Sequence, residues 1–385
     1  MPNIPFLDLY AGNRRVEAAF FRDLKTLYRA SAFIGGPAVD AFERAFATEL
    51  DGPHCVAVSS GTAALHLSMV AAGIGPGDEV IVPAFTFPGA AGPVLHRGAT
   101  PVFADVNLRD GCLNPESVAR AVTKRTRAIL VTHLFGHPAD LDALQAIVRG
   151  SSSNPNGRIA LIEDAAQAHG GSWRGRALGS HGTFGCFSFY PTKNLGAMGD
   201  AGAIMVKTRA LAERLRRLRD HGQVKRFAPL EAGFNARMDA VQALFLRHKL
   251  PLLRADNARR AALAARVVAA LGAPENDEPG IAPLLPDARG ASAWHALAVR
   301  AARRGALVAT LKAQGIGHQI YYPAALPDLP VYKAFARRDD VPAARALARA
   351  ALAVPLHPAL SRAEIDTVVK ALTSPRPASR LYSRP

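Results

Sequence analysis

Short apolar runs rich in β-branched residues recur between residues 40 and 210, at 55–58, 79–83, 101–104, 128–132, 159–162, 185–189 and 202–206. Longer stretches of helical periodicity separate most of them, at 63–72, 115–122 and 139–149, and the series closes with 209–219. Strands alternating with helices predict an α/β fold, a mostly parallel seven-stranded sheet flanked by helices on both faces. Such a sheet gathers its ligand at the carboxyl ends of the strands. Gly61-Thr62, Phe87 and Asp164 all fall just past a predicted strand.

The rhythm changes near residue 250. A helical segment over 239–253 runs into Arg/Ala-rich helix. Beyond it the pattern predicts strands at 293–299 and 319–322, with helices at 306–314, 343–353 and 362–372. The chain therefore divides into a large domain over 1–250, a smaller C-terminal α+β domain over 251–374, and a flexible Pro/Ser/Arg-rich tail over 375–385. The polar stretch 151–157 reads as a loop, because strand periodicity resumes directly after it. There is no internal repeat.

Composition narrows the class. With 385 residues, 49% hydrophobic and 20% charged, the chain suits an ordinary globular protein with a large core. No apolar stretch approaches the roughly 18 residues of a membrane span. The first residues lack a basic segment followed by an apolar one, so no secretory signal is expected. Cys55, Cys112 and Cys186 are widely spaced and not arranged as metal ligands, which fits reduced thiols in the cytoplasm. The net charge of +16 resides largely in clusters such as Arg214-Leu215-Arg216-Arg217-Leu218-Arg219, without aromatic interleaving. They read as solvated helix faces or as a basic rim for an anionic substrate, rather than as a nucleic-acid surface.

Candidate chemistry begins with Lys193, in Phe187-Ser188-Phe189-Tyr190-Pro191-Thr192-Lys193-Asn194. A lysine set among aromatic residues, one crossover after a strand-end carboxylate at Asp164, is what a pyridoxal phosphate site requires. The amine forms the Schiff base, and the carboxylate keeps the pyridine nitrogen protonated. Glu163 precedes Asp164, and two adjacent carboxylates on an extended chain point to opposite sides, so only one faces the site. Ser59-Ser60-Gly61-Thr62 opens a helix, where free amides attract phosphate by about 0.3–1 kcal/mol per charge; by itself the same run is an ordinary N-cap. Phe87 is placed to stack on a flat ring or to fill the core. Gln167 lies one turn past Asp164, and Ser188 could donate to a phosphate. His169 reads as a packing residue. Gly73-Ile74-Gly75-Pro76-Gly77 imitates a dinucleotide fingerprint but follows a helix and precedes a strand, the wrong order for that motif.

These runs together resemble the DegT/DnrJ/EryC1/StrS family of pyridoxal phosphate enzymes, the sugar aminotransferases of fold type I. The likeness extends over nearly the whole chain, through Ile34-Gly35-Gly36-Pro37, Ser60-Gly61-Thr62-Ala63-Ala64-Leu65, Gly75-Pro76-Gly77-Asp78-Glu79-Val80, Gly98-Ala99-Thr100-Pro101-Val102-Phe103, Glu163-Asp164-Ala165-Ala166-Gln167-Ala168-His169-Gly170 and Gly233-Phe234-Asn235-Ala236-Arg237-Met238-Asp239. It implies that Gly61, Thr62 and Ser188 hold the phosphate, that Phe87 stacks on the ring, and that Asp164, with Gln167 beside it, meets the pyridine nitrogen. Lys193 is then the Schiff-base lysine, and Asn235 and Arg237 reach the neighbouring subunit's site in a homodimer.

The resemblance further implies transamination of a nucleoside-diphosphate keto-sugar with L-glutamate as donor. The form of Ser188–Asn194 with Gly199-Asp200 is similar to the branch that aminates C3 of dTDP- or UDP-linked keto-hexoses, and related 3-dehydratases carry histidine in place of Lys193. Two departures stand out: Tyr321-Tyr322-Pro323 lacks a following Pro-Leu-His, and Ala201 replaces a usual glycine. A dehydratase or ring synthase on the same fold, a cofactor-bound regulator without catalysis and a cofactor-free scaffold remain as alternatives.

Overall fold

A computed structural model describes residues 3–151, 158–272, 280–336 and 340–374. The predicted tail from 375 and residues 152–157 of the predicted loop lie outside the described residues.

All seven predicted strands form one sheet: β1 (His54–Val58), β2 (Glu79–Pro83), β3 (Thr100–Ala104), β4 (Thr126–Thr132), β5 (Ala160–Asp164), β6 (Phe184–Ser188) and β7 (Gly202–Val206). Their order is β1-β7-β6-β5-β4-β2-β3. Neighbours from β3 to β6 run parallel, whereas β7 runs antiparallel to both β6 and β1. The strands are buried almost along their whole length because helices cover both faces, which is why they read as apolar runs without alternation. Most helices around the sheet start on a polar cap, Gly92–His96 with Ala91 at its cap being an exception. Ser60 Oγ accepts from the Ala63 amide at 3.0 Å to open Gly61–Ala71, and Thr208 Oγ1 accepts from the Leu211 amide at 3.3 Å to open Arg209–Leu218. Beneath the sheet, Phe42, Phe46, Phe187 and Phe189 meet edge to face, with ring centroids 5.1–5.3 Å apart.

A second buried cluster joins Leu263 and Val267 of helix Leu253–Leu271 to Leu297, Val299, Leu352, Val354 and Val368. Its sheet consists of Ile281–Pro283, Leu297–Ala301 and Ala351–Val354, all antiparallel. Ile4 joins this cluster, held by the Ile4 amide to Gly315 oxygen at 3.0 Å and the Gly317 amide to Ile4 oxygen at 2.8 Å.

Here the structure departs from the sequence pattern in three places. The strand expected at 293–299 starts only at Leu297, because the amides of Ala293 and His295 bond instead to Gly136 and Phe135. No strand forms at 319–322. Gln319 alone bridges to Ala353, and the two tyrosines turn into a cavity. The helix expected over 343–353 ends at Ala350 and continues as a strand, and Arg304 Nη1 donates to the freed carbonyls of Ala348 and Ala351 at 2.6 and 3.2 Å.

The arginine-rich helix Arg209–Leu218 is more than a solvated face. Glu43, 5% exposed, accepts from Arg216 at 2.9 Å, from Arg219 at 2.5 Å and from the Ala57 amide at 2.9 Å. Arg214 donates to Ala71 oxygen and to Glu231.

Candidate active site

The carboxyl ends of β5 and β6 and the start of helix Gly61–Ala71 border a cavity of about 740 Å³. Lys193 and Asp164 both line it, together with Gly61, Thr62, Phe87, Gln167 and Ser188. The residues expected to act on one ligand therefore share one space, of a size suited to a cofactor and part of a substrate.

Asp164 ends β5 and is 7% exposed. Its Oδ1 accepts from the Ala166 amide at 3.1 Å. Burial pushes its carboxyl upward, against the opposing pull of that amide, Lys193, His133 and the Thr132 hydroxyl. A carboxylate desolvated in this way gains most from a cation placed against it. Glu163 faces the other side of the strand, as alternation requires. It accepts from the amides of Gly179, His181 and Gly182 at 2.6–2.8 Å and pairs with His133 Nε2 at 3.0 Å. Of the two adjacent acids, one braces the fold and one meets the cavity.

Lys193 follows β6 in a turn closed by its own amide on Tyr190 oxygen at 2.8 Å. Burial lowers its amine to about 8, with Asp164 pulling the other way. An amine at that value has a substantial neutral fraction near neutral pH, as an imine-forming nucleophile needs.

The expected phosphate cup is a close contact between helix and strand. A Cβ on Gly61 would stand 2.6 Å from Ser188 Cβ, so only glycine lets the helix start approach the end of β6. Gly202 on β7 is equally constrained, since a Cβ there would lie 2.4 Å from Ser60 carbonyl carbon. Ser60 both caps the helix and borders the cavity. Ser188 Oγ accepts from the Tyr190 amide at 3.3 Å, which leaves its hydroxyl hydrogen free to donate. Phe87 stands 57% exposed at the cavity wall, its ring 6.3 Å from that of Tyr322.

Gln167 is committed within the protein: its Oε1 accepts from the Phe135 amide at 2.6 Å and its Nε2 donates to Tyr322 Oη at 3.2 Å. It thus acts on the cavity through Tyr322. His169 packs among Phe46, Phe187 and Phe189, held neutral by burial, which lowers it to about 3. Asn235 and Arg237 do not line this chain's cavity. Asn235 is exposed, and Arg237 Nη1 pairs with Asp220 Oδ1 at 2.5 Å.

Sequence reasoning passed over His295 and Thr132, and left Asp200, Tyr321 and Tyr322 without a role in the site, yet all five line the cavity. His295 Nδ1 meets Asn194 Oδ1 at 3.1 Å, and burial beside Lys193 keeps it far below its usual range. No spacing rule connects residue 295 to residue 193; the tyrosine pair was visible only as a variant of a family element.

The sequence profile of the DegT/DnrJ/EryC1/StrS aminotransferase family matches residues 15–373. The chain belongs to that family. Family membership makes it a pyridoxal phosphate-dependent aminotransferase, of α/β fold type I. It is 39% identical over 373 residues to the dTDP-3-amino-3,4,6-trideoxy-alpha-D-glucose transaminase of Streptomyces venezuelae, covering 96% of each chain. It is 40% identical to the erythromycin biosynthesis sensory transduction protein EryC1 of Saccharopolyspora erythraea, covering 96% of this chain and 99% of the other. The structure of S. venezuelae DesV in complex with a ketimine intermediate superposes with a TM-score of 0.90 at 38% identity, covering 96% of this chain and 98% of that one. That of NtdA from Bacillus subtilis with bound pyridoxamine phosphate gives 0.86 at 28% identity, covering 97% and 85%. The site described above fits the family's cofactor: a glycine-lined cup for the phosphate, a desolvated carboxylate for the ring nitrogen and a low-pKa amine for the aldehyde, all on one cavity.

Proposed function

We propose that the enzyme transfers an amino group from L-glutamate to a nucleoside-diphosphate keto-sugar, a dTDP- or UDP-linked 3-keto-hexose, in the cytoplasm. The observation that carries this reading is the placement of Lys193 and Asp164 on one cavity with the Gly61–Ser188 cup, in a chain whose relatives' names include a dTDP-amino-sugar transaminase. Ser60, Gly61, Thr62 and Ser188 would hold the phosphate, Phe87 would cover one ring face, and the Asp164 carboxylate would accept a charge-assisted hydrogen bond from the protonated ring nitrogen. When bound, pyridoxal phosphate supplies a conjugated ring that withdraws electron density from the carbon losing its proton. With the cofactor bound, Lys193 Nζ would take the proton from the donor's Cα and deliver it to the carbon derived from the cofactor's aldehyde, and in the second half-reaction would run the same transfer in reverse. Its value near 8 suits both roles. Gln167 holds the Tyr322 hydroxyl over the cavity, where Tyr321 and Tyr322 are positioned to meet the sugar.

Two copies are proposed to complete the site. Phe227 is 84% exposed, and Phe33, Ile34, Leu230 and Phe234 are exposed as well, on segments tied by the Ile34–Asp239 and Asp220–Asn235 bridges. This surface, with Asn235 and Arg237 on it, would face the partner's cavity.

The test offers the purified enzyme a panel of dTDP- and UDP-linked 3-keto and 4-keto hexoses with L-glutamate. The expected result is an amino-sugar nucleotide by mass spectrometry and one 2-oxoglutarate per product, both abolished in Lys193→Ala. Loss of water from the sugar without 2-oxoglutarate would overturn the reading in favour of a dehydratase.

A further inference from the structure

Behind the loop that carries Lys193 lies a second cavity, of about 310 Å³. Its walls come from residues 7–15, residues 191–194, Lys249, helix Leu253–Leu271 and residues 357–359. It shares Thr192 and Lys193 with the larger cavity but reaches none of Gly61, Thr62 and Ser188.

The lining carries unanswered positive charge. Arg260 is 6% exposed, and its Nε and Nη1 are buried without a hydrogen-bond partner. Burial lowers its guanidinium to about 10, with Asp256 as the opposing carboxylate. Asp256 itself is bonded to Arg15 at 2.6 Å. Lys249 donates to Asn13 Oδ1 at 3.0 Å and to Gly196 oxygen at 2.9 Å, both uncharged, and burial lowers it to about 8. The cavity's other carboxylate, Asp8, caps the helix Leu9–Asn13 through the Ala11 amide. His357, also at the wall, has no close hydrogen-bond partner on either buried ring nitrogen among the described residues, with the Pro5 backbone opposing the burial that lowers it. Arg14 and Arg259 add two further cations. A guanidinium left this dry with open donors is costly unless an acceptor reaches it, and both carboxylates of the cavity are already engaged.

We propose that this cavity binds a small oxyanion, inorganic phosphate or a short carboxylate, on Arg260, Lys249 and His357. The volume admits such an ion. Bound there, the ion joins helix Ala240–Lys249, helix Leu253–Leu271 and the 357–359 segment through one set of charge-assisted hydrogen bonds.

The test uses the cofactor-loaded enzyme, in which the phosphate cup is filled. Phosphate and, separately, acetate are titrated at constant ionic strength held by a bulky sulfonate salt, with thermal unfolding and isothermal calorimetry as readouts. The expected result is a saturable rise in Tm with one site per chain, and an apparent Kd at least about tenfold weaker in Arg260→Met. Saturation by phosphate alone identifies the inorganic ion, and saturation by acetate identifies a carboxylate. Equal, unsaturating responses in wild type and variant, or no response, overturn the proposal. Should Arg260→Met fail to fold, Lys249→Met carries the same comparison. The titration involves no turnover, so its failure leaves the transaminase reading untouched.

Discussion

Lys193 obtains its reactivity from burial, and that has a measurable effect on the protein without cofactor. The folded amine sits near 8 against 10.5 for an ordinary lysine, so the unfolded chain binds the proton more tightly. The desolvation penalty is therefore complete below about pH 8 and fades as pH climbs toward 10.5. We predict that, in urea unfolding of the cofactor-free enzyme, Lys193→Met is more stable than wild type below about pH 8 and that this difference shrinks as pH climbs toward 10.5. Lys249 and Lys207, also lowered by burial, and the buried cysteines and tyrosines, which pull the other way above about pH 9, act alike in both proteins and cancel in the comparison. A wild type and Lys193→Met with parallel pH profiles would contradict this assignment. The lysine and Asp164 were legible in the sequence because Asp164 ends a strand and the lysine closes the aromatic run that follows the next one. His295 was not, since the loop hydrogen bonds that bring it to Asn194 leave no periodic trace.

At the level of elements, the seven strands of the main sheet were readable because central strands buried on both faces appear as continuous apolar runs. The small sheet was harder. Its strand Ala351–Val354 follows the helix Pro342–Ala350 within one alanine-rich stretch, where neither period nor composition marks the change. Residues 319–322 look like a strand by composition, yet they lack ladder partners beyond Gln319. Contacts between elements set two further predictions. Gly61→Ala forces the helix start away from Ser188, an overpacking cost of about 1–3 kcal/mol. Cofactor affinity should fall by about tenfold to a hundredfold, which spectroscopic titration of the apoenzyme measures. Glu43→Gln removes the charge that answers Arg216 and Arg219 across helix and strand. Arg216 is partly solvated, so the loss should lie near the lower end for a broken buried pair, about 3 kcal/mol in urea unfolding.

For the whole molecule, the high positive charge divides into arginines that brace the fold, as at Glu43 and Glu231, and a remainder at the surface. The sequence revealed the total but not this division, because the acids concerned lie far away along the chain. Assembly is tested at the exposed apolar surface. Phe227→Asp with Leu230→Asp should convert a dimer to monomers in sedimentation velocity and abolish turnover while leaving far-ultraviolet circular dichroism unchanged. Retention of the dimer would move the interface elsewhere. The cavity also joins two kinds of wall. One is sheet and helix locked at glycine contacts, and the other is the irregular stretch 319–329, which bears the tyrosine pair. Diversifying only the latter should retune acceptor choice while amine exchange with glutamate persists, making this margin the natural place to evolve new amino-sugars.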